Sequence, residues 1–127
     1  MATRTLDRRA ASRVSPAAAG DTAVRLEAFR RHAELCRVLT DPKRLMIIDA
    51  LRHGERSVGE LAEDLGCTMP NASQHLSVLR AAGLVAGRRD GTTVHYRLAE
   101  PRILAACDIV GTIVAKAHDR ATTRRSR

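Results

Sequence analysis

Residues 57–83, SVGELAEDLGCTMPNASQHLSVLRAAG, contain the signal that decides the fold. Ser57 stands three residues before Glu60, which makes a reciprocal capping box for a helix start. Val58, Leu61, Ala62 and Leu65 then follow at i, i+3, i+4 and i+7, the stripe of a helix with one buried face. Gly66 ends that helix. Cys67-Thr68 reads as a tight turn, with Thr68 capping a further helix from Met69 to about Ala82 and Gly83 as its exit. Two short helices joined by a glycine-containing turn are a helix-turn-helix signature.

Toward the N-terminus, Leu26, Phe29, Ala33 and Cys36 recur at steps of three and four, predicting a helix from Thr22 to near Leu39. Thr40-Asp41-Pro42 stops it and restarts a second helix, since Asp41 can cap and Pro42 fits a first turn. That helix is expected to reach about His53, with Leu45, Ile48 and Leu51 inward and Gly54 closing it. Toward the C-terminus, Leu84 to Arg89 and Thr92 to Leu98 flank Asp90-Gly91, a strong hairpin signal. A last helix starts near Pro101 and carries Ile103, Ala106, Cys107, Val110, Val114 and Ala117 on one side. The order is four helices, a two-stranded hairpin and a fifth helix: a mainly helical, α+β, winged helix-turn-helix with an extra helix at each end.

Composition narrows the function. With 127 residues the chain describes one small domain, too short for a multidomain enzyme. Phe29 and Tyr96 are its only aromatic residues apart from histidines, so it has no base-stacking platform and its core must be aliphatic. A chain of this size buries only about two-thirds of its unfolded surface, which favours completing the core by pairing with a second copy. No apolar run approaches the roughly 18 residues of a spanning helix, and the N-terminal stretch lacks the apolar segment of a secretory signal. A cytoplasmic location without membrane contact is expected. Cys36, Cys67 and Cys107 are widely spaced and odd in number, so they resemble neither a disulfide framework nor a zinc clip. No nucleophile, base and orienting group stand at interpretable spacing, which argues against an enzyme.

The net charge of +8 is unevenly placed. Residues 1–20 hold four arginines against one acid and read as a disordered basic arm, while residues 119–127 read as a disordered basic tail. Residues 21–118 form the folded domain in this reading, and the stretch from 21 to 115 is nearly neutral, with 13 basic and 12 acidic side chains.

The helix from Met69 carries the functional signal. At about 100° per residue, Ala72, Leu76, Leu79 and Gly83 fall on one side and face the body. Pro70, Gln74, Ser77 and Ala81 lie opposite, with Ser73 and Val78 at the flanks, Asn71 at the rim and His75 at the edge of the buried side. A solvated helix face ordinarily carries Lys and Glu; this one is small, polar and nearly uncharged. Gln can read adenine bidentately in the major groove, Ser can meet either base edge, and small neighbours permit close approach. Thr68, Pro70, Asn71, Ser73, Gln74, Ser77 and Arg80 are therefore the candidate DNA contacts on this helix, and Arg88, Arg89 and Arg97 on the hairpin suit phosphates or a narrow minor groove.

From about Ala33 to Leu104 the chain resembles the ArsR/SmtB family of small dimeric winged-helix repressors. The strings that carry the resemblance are LTDPKRL at 39–45, SVGELA at 57–62, PNASQHLSVL at 70–79, AGLV at 82–85 and RRDGTTVHYRL at 88–98. The resemblance implies a homodimer held by the first and last helices, operator binding by the helix from Met69 and the wing, and release when an inducer binds. An apolar surface on each of the two outer helices agrees with pairing across a two-fold axis.

The resemblance does not extend to the family's metal sites. Where relatives place thiols on the third helix, this chain has Ser57-Val58-Gly59. Where relatives place Asp, His, His and Glu in the last helices, the matching positions are approximately Glu100, Arg102, Ile113 and Lys116. Neither ligand set is present, and His118 with Asp119 is too small a set to bind a metal. Persulfide-sensing relatives pair thiols where this chain has Asp49 and Ala115. Cys36 and Cys107 remain, either as small buried hydrophobes or as sensor thiols for a soft metal ion, a metalloid or an oxidant; Cys67 is a weaker third. The expected function is a homodimeric repressor acting on a palindromic operator. The competing reading is a winged-helix DNA-binding or interaction module with no inducer.

Overall fold

The computed structural model describes residues 16–126. The chain divides into two compact units, residues 1–37 and 38–127. The first is a single helix in the described residues, α1 (Pro16–Val38). It starts before Thr22, so residues 16–20 of the expected arm are helical, and residues 1–15 of that arm lie outside the described residues. Val24, Leu26 and Phe29 are more than half exposed, and Cys36 is exposed too.

The second unit runs α2 (Pro42–Ala50), β1 (Arg56–Ser57), α3 (Val58–Leu65), α4 (Met69–Ala81), β2 (Val85–Asp90), β3 (Thr93–Leu98) and α5 (Arg102–Arg125). The starts of α2, α3 and α4 are fixed locally. Asp41 Oδ1 accepts from the amides of Lys43 at 2.8 Å and Arg44 at 3.4 Å, with Pro42 in the first turn. Ser57 Oγ accepts from Glu60 N at 3.1 Å while Glu60 Oε1 accepts from Ser57 N at 3.0 Å, the reciprocal box expected from the spacing. Thr68 Oγ1 accepts from Asn71 N at 3.3 Å. Gly66 closes α3 at φ 62°, a conformation costly to any residue with a Cβ.

The core is the stack of α2, α3 and α4 on the base of the sheet. Ile47, Ile48 and Leu51 meet Leu61, Ala62 and Leu65, then Ala72, Leu76 and Leu79, with Leu84, Val85 and Ile103 closing the edges. Three details differ from the periodicity reading. Leu45 is exposed and Ile47 takes its place inside, because the buried side of a nine-residue helix is set by where its neighbours pack. The helix also ends at Ala50 rather than His53. Gly83, grouped with the inward side, is an exposed turn residue at φ 77°.

The sheet has three strands, in order β1-β3-β2, all antiparallel. The strand β1 was not foreseen. Its two residues pair Arg56 with Tyr96 and Ser57 with His95, so the expected hairpin has a third member. Register places Ala86, Arg88, Asp90, Thr93, His95, Arg97 and Ser57 on one face and Val85, Gly87, Arg89, Val94, Tyr96, Leu98 and Arg56 on the other. On that second face a Cβ at Gly87 would stand 3.2 Å from Tyr96 Cε1 and 3.4 Å from Val94 Cγ1, so glycine lets the Tyr96 ring lie flat against the strand.

The last helix also departs from expectation. α5 continues to Arg125, with Thr122 Oγ1 donating to His118 O at 3.0 Å and Thr123 Oγ1 to Asp119 O at 2.9 Å, so residues 119–125 are helical rather than a disordered tail. Only Ile103 of this helix is buried; Ile109, Val110, Ile113 and Val114 are each more than half exposed. Among the described residues no helix is long and apolar enough to cross a membrane.

Candidate nucleic-acid interface

The two sides of α4 separate sharply. Ala72, Leu76 and Leu79 have no exposed surface, which fixes the rotation of the helix. Pro70, Ser73, Gln74, Ser77, Arg80 and Ala81 consequently face outward and are exposed. Among the described residues no hydrogen bond or ion pair occupies the side chains of Ser73, Gln74, Ser77 or Arg80, so their donors and acceptors are free for a ligand. Met69 and Val78 add exposed apolar surface at 52% and 38%, suited to a thymine methyl. Nothing in the sequence pattern marks Met69 as part of this face.

Other predicted residues have commitments of their own. The Thr68 hydroxyl is spent on the cap, leaving its remaining capacity for a partner. Asn71 is half-buried, and its Oδ1 is enclosed without a partner. His75 lies inward, its Nδ1 4.0 Å from Asp41 Oδ1, and so joins α4 to the start of α2.

The three wing arginines do not form one cluster. Arg88 and Arg97 project from the outer face of the sheet, while Arg89 projects from the face that carries Tyr96, beyond the end of the core. Arg89 and Arg97 are exposed and make no ion pair among the described residues. Arg88 is already held: its Nε lies 3.2 Å from Glu55 Oε1 and its Nη2 2.9 Å from Glu55 Oε2, with Asp90 Oδ2 at 4.0 Å from Nη1. The Arg88 guanidinium holds the Glu55 carboxyl below the usual carboxylate range. Sequence offered no signal for this pair, whose members meet only because β3 brings β1 and β2 together.

The thiols occupy different settings. Cys36 is exposed, and Cys67 and Cys107 are half-buried. Burial, assisted by the neighbouring Asp108 charge, pushes the Cys107 thiol up from its ordinary value. Glu100 and Arg102, two of the positions that match the family's metal ligands, pair with each other at 2.6 Å. Among the described residues no three His, Cys, Asp or Glu side chains are grouped to hold a metal ion.

Comparison with known proteins bears on the family and the fold. The profile described as bacterial regulatory protein, arsR family, matches residues 41–86, from the α2 cap into β2. The uncharacterized HTH-type transcriptional regulator Rv0081 of Mycobacterium tuberculosis is 39% identical over 89 residues, 69% of this chain and 78% of that protein. Its crystal structure superposes with a TM-score of 0.67, covering 74% of this chain and 96% of that one. A biofilm growth-associated repressor of Xylella fastidiosa is 41% identical over 81 residues, 64% of this chain and 71% of its own. The solution structure of the homodimeric winged helix-turn-helix DNA-binding domain Mb0332 of Mycobacterium bovis matches with a TM-score of 0.66 at 29% identity, over 76% of this chain and 89% of that one.

Proposed function

Because the chain belongs to the arsR family of bacterial regulatory proteins, we propose that it is a cytoplasmic homodimeric repressor that reads a short palindromic operator with α4 and grips the flanking backbone with the wing. The observation that carries this reading is the outer face of α4: exposed, uncharged at its centre, free of internal hydrogen bonds and backed by three fully buried residues. Ser73, Gln74 and Ser77 are its proposed base contacts, with Pro70, Asn71 and Thr68 at the approach and Arg80, Arg89 and Arg97 toward phosphates. The exposed apolar residues from Ile109 to Val114 are the proposed α5 contribution to the two-fold interface. The C2 arrangement would present two α4 helices to two half-sites about one helical turn apart.

The test is selection of bound duplexes from a random library, followed by titration of the selected sequence. An inverted repeat bound at least about a thousand-fold more tightly than mixed-sequence DNA is the expected result. Equal affinity for every duplex overturns the operator reading.

The proposed inducer is a thiol-directed agent, a soft metal ion, metalloid or oxidant, acting on Cys36 and Cys107. The half-buried setting of Cys107 favours the second reading, a DNA-binding or interaction module without an inducer, because burial disfavours the thiolate that binds a soft metal or attacks an oxidant.

A further inference from the structure

The outer face of the wing carries a charge arrangement that operator reading does not use. Glu55 lies just before β1 and Arg88 on β2, and β3 runs between them. Neighbouring strands are about 4.8 Å apart, so this pair crosses the middle strand, passing His95, which stands opposite both Ser57 and Arg88. The contact is a two-pronged fork, Nε to Oε1 and Nη2 to Oε2, the strongest geometry open to an arginine and a carboxylate. Asp90 approaches the same guanidinium from its other side at 4.0 Å. Arg88 is thus flanked by two carboxylates of its own chain, while Arg89 and Arg97 have none in ion-pair range among the described residues.

Binding to DNA of arbitrary sequence grows with the number of phosphates neutralised, whereas base reading does not. We propose that Glu55 is a specificity-determining residue for DNA binding: by holding Arg88 across the wing it withholds one cation from the phosphates and restrains binding to non-operator DNA. The inference rests on the DNA-binding reading given above. It leaves the uncharged α4 face untouched, so the restraint falls on sequence-independent affinity and widens the gap between operator and random DNA.

The experiment uses the full chain and a labelled mixed-sequence duplex, titrated by fluorescence anisotropy over a salt series. Glu55→Gln is expected to bind that duplex about threefold to tenfold more tightly near 0.1 M salt, with the slope of log K against log salt steeper by about 0.9. Glu55→Gln combined with Arg88→Ala is expected to return to the wild-type slope. Glu63→Gln makes the same charge change on α3 without releasing an arginine, and is expected to keep the wild-type slope. Equal slopes for Glu55→Gln and wild type, or a Glu63→Gln protein matching Glu55→Gln, overturn the proposal. Absence of binding by wild type and Glu55→Gln alike at the lowest salt overturns the DNA-binding reading itself, an outcome distinct from equal, measurable slopes.

Discussion

Arg52 grips Asp108 with both terminal nitrogens, Nη1 to Oδ2 at 3.0 Å and Nη2 to Oδ1 at 2.7 Å, and thereby fastens α5 to the end of α2. Asp49 takes a second share of the same guanidinium, with Nη2 at 3.0 Å from its Oδ1. Apart from this fork, α5 anchors itself by burying Ile103. The attachment is short and lies at the N-terminal end of the helix, which leaves the apolar turns beyond it open to a second copy.

Arg52→Ala and Asp108→Asn should each lower the thermal midpoint, and the double variant should lower it little further, since both remove one contact. Arg52→Lys should not restore it, because an ammonium cannot reproduce the fork. The Arg52 guanidinium holds the Asp108 carboxyl below the usual carboxylate range. A carboxyl with a lowered folded pKa contributes its full stabilisation above the unfolded value and loses it as pH falls through the folded one. Urea midpoints should therefore stay level from about pH 7 to about pH 5 and drop below that for wild type, with a shallower drop for Asp108→Asn. Parallel acid limbs for the two proteins would remove the clamp from the account.

Gln74→Ala should weaken binding to the selected operator and relax the preference at one base pair per half-site, a loss of about 1–3 kcal/mol in discrimination. Dimerisation and melting temperature should not change, because Gln74 is exposed and makes no internal hydrogen bond. Unchanged affinity and preference would take Gln74 out of the reading set.

Val110→Glu should give a monomer in sedimentation at concentrations where wild type is a dimer. Each copy would lose about 1.5–3 kcal/mol of apolar burial and gain a carboxylate facing its symmetry mate. Circular dichroism should remain that of the folded winged helix, since Val110 is 57% exposed and outside the core of the single chain.

Alkylation of Cys107 followed against pH should show its midpoint above that of an ordinary thiol, because burial disfavours the thiolate. Cys36→Ser and Cys107→Ser should leave DNA binding near normal. If both still release DNA with every metal or oxidant that releases wild type, thiol sensing is excluded.

Much of this architecture could be read from local chemistry. The capping box of Ser57 with Glu60 and the cap at Thr68 need only three or four consecutive residues, and the faces of α3 and α4 follow from a 3.6-residue period. What escaped depends on distant partners. β1 has two residues and no periodicity of its own, and exists because Tyr96 and His95 lie alongside. The Glu55–Arg88 fork spans 33 positions of sequence. Leu45 and Ile47 are equally apolar, and only the placement of α3 and α4 decides which is buried. At the C-terminus, Lys and Arg read as a solvated tail, yet together with Ala they are good helix formers and extend α5 instead.

Ser57 belongs to two structures at once, pairing with His95 in the sheet and capping α3 through Glu60. The wing is therefore joined to the helix pair at this residue, and again at the exit of α4, where Leu84 N donates to Leu79 O at 3.0 Å. A wing tied at two joints has fewer ways to swing than one tied at a single joint. In the proposed complex, wing and α4 would act as a caliper, and a duplex whose grooves do not match that gap would have to bend or widen to be held. Base pairs that no side chain touches would then contribute to recognition through their stiffness.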